Sequence, residues 1–253
     1  MLQVMEHTLL YLFGAIMFAG FLQTVSGFGY ALAAVPLLMF IMNPKDAVML
    51  VLITGALLKV VMIYRTRSVG NFRAILPLFL ASLLGALPGA YVLKVIDDNL
   101  AKIFVSITLI LVAIAMSCNY RIEIKRPRLA SGIVGIASGF LGSTTSFSGP
   151  PVVLYMLNDN VTNKETIRAN LTRFFILGNL VSIVFGYFFG TLHIETLTKY
   201  ILVSIPALLI GFWLGDKLFT RMNAAAFRRL AIWLITLSGL ATIVGSGLTY
   251  FKI

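Results

Sequence analysis

SGFGY, residues 26–30, breaks an apolar stretch that otherwise runs from Thr8 to Met42, and STTSFSG, residues 143–149, breaks a second one. A helix needs roughly 20 apolar residues to cross a hydrocarbon core of about 30 Å. The pieces 8–24 with 28–42, and 129–143 with 149–158, are each too long for one crossing, while the second piece of each pair is too short for a comfortable crossing of its own. Each pair is therefore either one long kinked span or a helical hairpin that enters the membrane and turns back at the polar break. That choice fixes the topology of the chain.

The surroundings of the breaks establish the solvent. Of 253 residues, 59% are hydrophobic and 11% charged, and the mean hydropathy is +0.97. Soluble domains average roughly 45–50% apolar and about 25% charged residues, so the chain reads as an all-α polytopic membrane protein. Further apolar segments lie at about 46–64, 74–94, 99–119, 166–190, 197–215 and 228–250. The N-terminal MLQVMEHTLL has no basic region and carries Glu6 and His7, which reads as mature protein and not as a signal peptide. Cys118 stands alone, which leaves no disulfide framework and no Cys-rich metal site.

Twenty Lys and Arg against nine Asp and Glu give a surplus that a membrane protein concentrates in cytoplasmic loops; no basic run points to nucleic acid. With both pairs as single spans the basic residues divide nine against ten, which orients nothing. With both pairs as hairpins, fourteen fall on one side: Arg65, Arg67, Arg73, Arg121, Lys125, Arg126, Arg128, Lys164, Arg168, Arg173, Lys217, Arg221, Arg228 and Arg229. Only Lys45, Lys94, Lys102, Lys199 and Lys252 fall on the other, with Lys59 inside a segment. The positive-inside rule selects the hairpins and puts both termini on the non-cytoplasmic side.

A repeat leads to the same plan. GFLQTVSGF (20–28) aligns with GFLGSTTSF (139–147) at an offset of 119, which also carries NPKD (43–46) onto TNKE (162–165). Further on, Gly85 and Gly89 meet Gly211 and Gly215 at an offset of 126. The chain thus reads as a single transporter domain over residues 1–253, made of two inverted-topology repeats at about 7–120 and 129–251. Each repeat holds one re-entrant, broken helical hairpin and three transmembrane helices. Inverted repeats with broken helices are a transporter plan, with the solute near the midplane.

The breaks then acquire a chemical reading. A chain reversal in hydrocarbon leaves backbone groups without water, and these must be satisfied by protein or line a wet cavity. Thr24, Ser26, Ser143, Thr144, Thr145, Ser146 and Ser148 can bond them, while Gly27, Gly29 and Gly149 permit unusual dihedrals. Helix N-termini near residues 28 and 149 would attract an anion through free N–H groups and the helix dipole. The alternative is a pair of structural breaks satisfied by neighbouring helices.

FLQTVSGFGYALAAVPLLMF, FLGSTTSFSGPPVVLYML and the GxxxG pairs at 85–89 and 211–215 resemble the sulfite exporter TauE/SafE family of membrane transporters, over nearly the whole chain. The resemblance implies export of a small anion with an oxidised sulfur group, such as sulfite, a sulfonate or sulfoacetate, across the bacterial inner membrane. It implies a substrate-binding role for Ser26, Gly27, Phe28 and Gly29, with Pro36 matching nearby, and for Ser146, Phe147, Ser148 and Gly149, with Pro150 beside them. The second break is serine- and threonine-rich where the family pattern is glycine-rich.

Other polar residues complete the candidate substrate-binding set. Lys59, in GALLKVVMIY, is a charge inside a segment and marks a functional site by default, snorkelling being the alternative. Arg173 shares a helical face with Asn170 and could serve the solute or snorkel, and Asn179 could bond a tip or join two helices. The glycine pairs read as helix-packing surfaces. Asp46 and Glu165 sit in first helical turns, where a carboxylate suits the dipole.

All nine acids and both histidines, His7 and His193, lie in loops or at segment ends. No proton relay of the usual kind, metal centre, cofactor or catalytic residue is expected, and an enzyme would need a converging nucleophile and base. The expected partners are a small anionic solute and the lipid bilayer, by alternating access. An anion-selective channel shares every feature used so far, and a homodimer on a Gly-lined face is compatible with the sequence without being specified by it. The anion either runs down its own gradient, which a negative interior favours by about 2.3 kcal/mol per charge per 100 mV, or is coupled through a less obvious ion site.

Overall fold

The computed structural model describes residues 2–117, 126–158 and 163–222. Within them the regular structure is helical: α1 (Leu2–Ser26), α2 (Tyr30–Leu38), α3 (Pro44–Arg65), α4 (Phe72–Val95), α5 (Asp98–Ser117), α6 (Pro127–Thr145), α7 (Gly149–Asn158), α8 (Lys164–Phe188) and α9 (Ile194–Arg221). Of these, α1, α3, α4, α8 and α9 are long and apolar enough to cross a bilayer. The apolar segment 228–250, Cys118, and the basic residues Arg121, Lys125, Arg228, Arg229 and Lys252 lie outside the described residues.

The first break is a reversal. Tyr11, fifteen residues before the end of α1, donates its hydroxyl to the Leu37 carbonyl in the last turn of α2 at 3.1 Å. In one continuous rod these residues would stand about 39 Å apart, at 1.5 Å per residue. The second break also turns back: Ser138, two turns before the end of α6, donates to the Ser148 carbonyl at 2.5 Å. Two left-handed glycines make the first corner, Gly27 (φ 81°) and Gly29 (φ 97°). In the second corner the position equivalent to Gly27 is Ser146, also left-handed at φ 66°. A non-glycine residue there costs about 1–2 kcal/mol. The local hydrogen bonds match as well. Ser26 Oγ bonds the Leu22 carbonyl at 2.6 Å and accepts from Phe28 N at 3.3 Å; Thr145 Oγ1 bonds the Leu141 carbonyl at 2.8 Å and accepts from Phe147 N at 3.3 Å.

Close contacts give the helix directions. Gly211 and Gly215 of α9 back onto Met17, Phe21 and Thr24 of α1, so these helices run parallel; Gly85 and Gly89 of α4 back onto Ile136, Phe140 and Thr144 of α6 in the same sense. At the centre α3 and α8 run antiparallel, with Met49 against Gly186, the Leu52 carbonyl bonded by Asn179, and the Thr66 carbonyl bonded by Arg173. Exchanging α1 with α6, α2 with α7, α3 with α8 and α4 with α9 leaves the main contacts among these eight helices unchanged: α1·α9 becomes α4·α6, α3·α9 becomes α4·α8, and α3·α8 maps onto itself.

Matching caps start the two central helices. Asn43 accepts from Asp46 N at 2.8 Å and Asn163 accepts from Glu165 N at 2.9 Å. Their spacing, 120 residues, pairs Asn43 with Asn163 instead of Thr162, one residue off the offset read from the sequence. Asp46 is also fixed by His193 Nδ1 at 3.0 Å, which joins the starts of α3 and α9. At the other end of the bundle Asp216 of α9 takes Arg65 Nε at 3.2 Å and Arg168 Nη2 at 3.1 Å.

Candidate functional site

Arg168 shows how far the structure departs from a count of loop charges. Sequence grouping places it among exposed basic residues; in the fold it is 2% exposed, with its guanidinium 4.0 Å from the Phe219 ring centre. The backbone of Gly27 packs on its Cα and Cγ, at a distance where a Cβ on Gly27 would come within 3.4 Å. Asp216 is the counter-charge that makes this burial tolerable. Asp216→Asn is expected to destabilise the fold by about 2 kcal/mol, the worth of a hydrogen bond to a charged group. A thermal melt of the detergent-solubilised protein reads this, and an unchanged midpoint would show the pair to be dispensable.

Gly27 lies beside Arg168, one turn into α8, while Ser143 bonds Ser182 at 2.7 Å, six residues before the other end of α8. The ends of α1 and α6 therefore lie at different levels along α8, while the two breaks touch through Phe28 and Gly149, where a Cβ on Gly149 would lie 3.5 Å from Phe28 Cβ. Between them, level with the middles of α3 and α8, is a small cavity of about 30 Å³. Its polar lining includes Gln23, Lys59, Ser146, Ser148 and Asn179, and its aromatic lining Phe28, Tyr30, Phe147 and Phe175.

Of the residues singled out from sequence, Phe28, Gly29, Lys59, Ser146, Phe147, Ser148, Gly149 and Asn179 are brought together on this cavity. Thr24, Ser26, Gly27 and Thr145 do not line it. Thr24 bonds the Gly20 carbonyl at 2.8 Å, and Ser26 and Thr145 are occupied by their own corners, Ser26 also touching the Phe28 carbonyl. Asn170 and Arg173 stand elsewhere, holding the loop between α3 and α4. Asn170 Oδ1 accepts from Asn71 N at 2.8 Å, and Arg173 donates to the Thr66 carbonyl at 3.3 Å. Their shared face points at that loop, which Gly70 (φ 96°) lets approach Arg173 without a Cβ in the way.

Lys59 is 4% exposed. Its ammonium donates to the Gly55 carbonyl at 3.2 Å and stands 6.0 Å from the Tyr30 ring centre and 5.9 Å from that of Phe175. Among the described residues no carboxylate lies within ion-pair distance of it, the acids there being engaged with His193, Arg65, Arg168 and Lys164 or at helix starts. Gly55 makes room for the convergence: a Cβ there would lie 3.1 Å from Lys59 Nζ, from Asn179 Nδ2 and from Tyr30 Cδ1. The two nitrogen donors are thus within about 6 Å of each other, and each keeps a proton beyond its own bond to a carbonyl.

Gln23 was not foreseen. Its Oε1 accepts from Tyr30 N at 3.2 Å and its Nε2 donates to the Gly27 carbonyl at 2.8 Å, so one side chain ties the end of α1 to the start of α2. A lone amide in an apolar run was the available signal. The two re-entrant helix starts also differ as anion binders. In α2 the first-turn N–H groups of Ala31 and Leu32 lack acceptors by helix geometry, and both residues line the cavity. In α7 Pro150 and Pro151 have no N–H, so the second helix start offers fewer donors than a helix dipole alone suggests.

A bundle of apolar helices with two broken hairpins and a cavity of mixed polar and aromatic lining between them defines a polytopic all-α membrane protein. The sequence model of the sulfite exporter TauE/SafE family matches residues 12–242, and the chain belongs to that family of membrane transporters. No curated protein and no solved structure matches it.

Proposed function

We propose that the protein exports a small anion bearing an oxidised sulfur group, of the sulfite, sulfonate or sulfoacetate type, by alternating access around the cavity between the two hairpins. The observation that carries this reading is the Lys59 ammonium, buried without a carboxylate among the described residues where both hairpins, Asn179 and the first turn of α2 converge. An oxyanion there takes the free protons of Lys59 and Asn179 and the N–H groups of Ala31 and Leu32, with Ser148 opposite. Charge-assisted bonds of this kind are about twice as strong as neutral ones. Aromatic walls suit the apolar remainder of an organic sulfonate.

Alternating access is supported by the symmetry of the contacts. Two halves related by an in-plane axis place equivalent helices antiparallel, as α3 and α8 are, and rocking one half against the other opens the cavity to either side. The basic end of the bundle, with Arg65, Arg168, Lys164, Arg173 and Lys217, faces the cytoplasm of a bacterial inner membrane by the positive-inside rule, which leaves the N-terminus outside.

Equilibrium binding to the purified protein tests the reading. Sulfite, sulfoacetate and isethionate are expected to bind, and taurine, whose ammonium meets Lys59 with like charge, at least tenfold more weakly. Gly55→Ala is expected to lower sulfite affinity severalfold while the protein still folds, since its new methyl presses only on side-chain atoms. If no sulfur anion binds, or taurine binds as well as sulfite, the substrate assignment is wrong.

A further inference from the structure

The same cavity bears on how transport is coupled, and this step rests on the reading above. A substrate carrier must return after releasing its solute. Lys59 is then a buried ammonium with no carboxylate partner among the described residues: it is 4% exposed, donates to the neutral Gly55 carbonyl, and stands near the rings of Tyr30 and Phe175. Among the described residues no acid lies within ion-pair distance of it. Asp46 is held by His193 and Asp216 by Arg65 and Arg168, at opposite ends of the bundle, and Glu165 lies beside Lys164 at the start of α8. Glu6 is an exposed residue near the start of α1, and Asp97, Asp98 and Glu195 precede or begin helices; Glu123 and Asp159 lie outside the described residues. Residues 223–253 contain no Asp or Glu at all.

We infer that the cavity never returns empty: a small inorganic monoanion of the chloride class occupies Lys59 on the return stroke, so the protein is an obligatory anion exchanger. Moving an unpaired charge through an occluded, dry state is penalised heavily, whereas a loaded ammonium carries its counter-charge with it. The one ammonium calls for one negative charge. The cavity is small, and its Phe28, Phe147 and Phe175 walls favour a weakly hydrated ion over a large, strongly hydrated one. Exchange for a monoanionic solute such as bisulfite or isethionate moves no net charge, so the two anion gradients drive it, whereas a dianion such as sulfoacetate leaves one charge uncompensated and makes its exchange sensitive to the membrane potential.

The purified full-length protein in lipid vesicles tests this. Vesicles are loaded with radiolabelled chloride and diluted into chloride, sulfite or gluconate, with potassium and valinomycin holding the voltage at zero. Release into chloride or sulfite is expected to be at least tenfold faster than into gluconate, an anion too large for the cavity. Equal release into chloride and gluconate would overturn the inference, because it means the carrier returns empty, and so would chloride release no faster than from protein-free vesicles. The two proposals fail separately. Stimulation by chloride but not by sulfite keeps the exchange and removes the sulfur-anion assignment; sulfite release that ignores the external anion keeps the assignment and removes the exchange. In Lys59→Gln, any remaining flux is expected to lose its preference for chloride over gluconate.

Discussion

Lys59→Met is expected to insert and fold at least as well as the parent protein, yet to bind sulfite roughly 10- to 100-fold more weakly. The estimate follows from hydrogen bonds to charged groups being worth about 1.5–3 kcal/mol, with about 1.4 kcal/mol per factor of ten in affinity. Folding is spared for the opposite reason. A lysine at the centre of a transmembrane helix costs at least about 2.5 kcal/mol on insertion, and methionine removes that cost while filling a similar volume. The Gly55 carbonyl loses a donor but keeps its place in the α3 ladder. Calorimetric titration with sulfite, paired with a thermal melt, separates the two effects. Parent-like affinity in this variant would reduce Lys59 to a packing residue and leave the cavity without its anchor. Weak binding together with a fallen melting midpoint would instead mean that the amine holds α3, α2 and α8 together.

The large features of this fold are written in local composition, which is why the apolar segments 46–64, 74–94 and 149–158 coincide with α3, α4 and α7 within a few residues. The corners at 26–30 and 143–149 were legible because a polar, glycine- or serine-rich break interrupts each apolar run and the distribution of basic residues favours a reversal over a kinked span. What lay beyond the sequence was partnership at long range. Arg168 looks like any loop arginine until Asp216, 48 residues away, and Phe219 close over it. Asn170 and Arg173 carried the right chemistry for an anion, but the face of α8 they occupy is turned to the loop between α3 and α4, which no local pattern encodes. Phe175 and Tyr30 were unremarkable apolar-run residues for the same reason. The levels that the ends of α1 and α6 reach are set in the same way, by contacts of Gly27 with Arg168 and of Ser143 with Ser182 along α8.

Gly139→Ala is expected to cost at least about 3 kcal/mol, the upper end of the range for overpacking a close contact. A Cβ at Gly139 would lie 1.9 Å from the Ser82 carbonyl oxygen and 2.7 Å from its carbon, both backbone atoms of α4 that no rotamer change can move. Reaching ordinary contact near 3.4 Å requires α6 to withdraw from α4 by more than an ångström. Neighbouring glycines share the seam, since Gly85 would press on the Ile136 carbonyl at 2.0 Å and Gly135 on that of Leu78 at 2.5 Å, so the helices cannot tilt away from one contact without meeting another. Helices in a bilayer are held by such close packing because lipid offers no hydrophobic drive to press them together. The damage reaches the cavity as well. As α6 retreats, Thr144 loses its 3.0 Å bond to the Gly89 carbonyl and Ser143 its bond to Ser182, so Ser146 and Ser148 shift away from Lys59 and anion binding falls with stability. Gly132→Ala on the same helix is the control, because a Cβ there meets nothing within 4 Å. Melting of the two variants side by side decides the matter, and equal midpoints would mean that α4 and α6 are not in contact. Gly211→Ala, whose methyl would meet the Met17 carbonyl at 2.4 Å, extends the test to the α1·α9 seam. If the two halves are structural equivalents, it weakens the protein and the binding of the anion together, as Gly139→Ala does; loss in one seam alone would mean that the halves do not share the load.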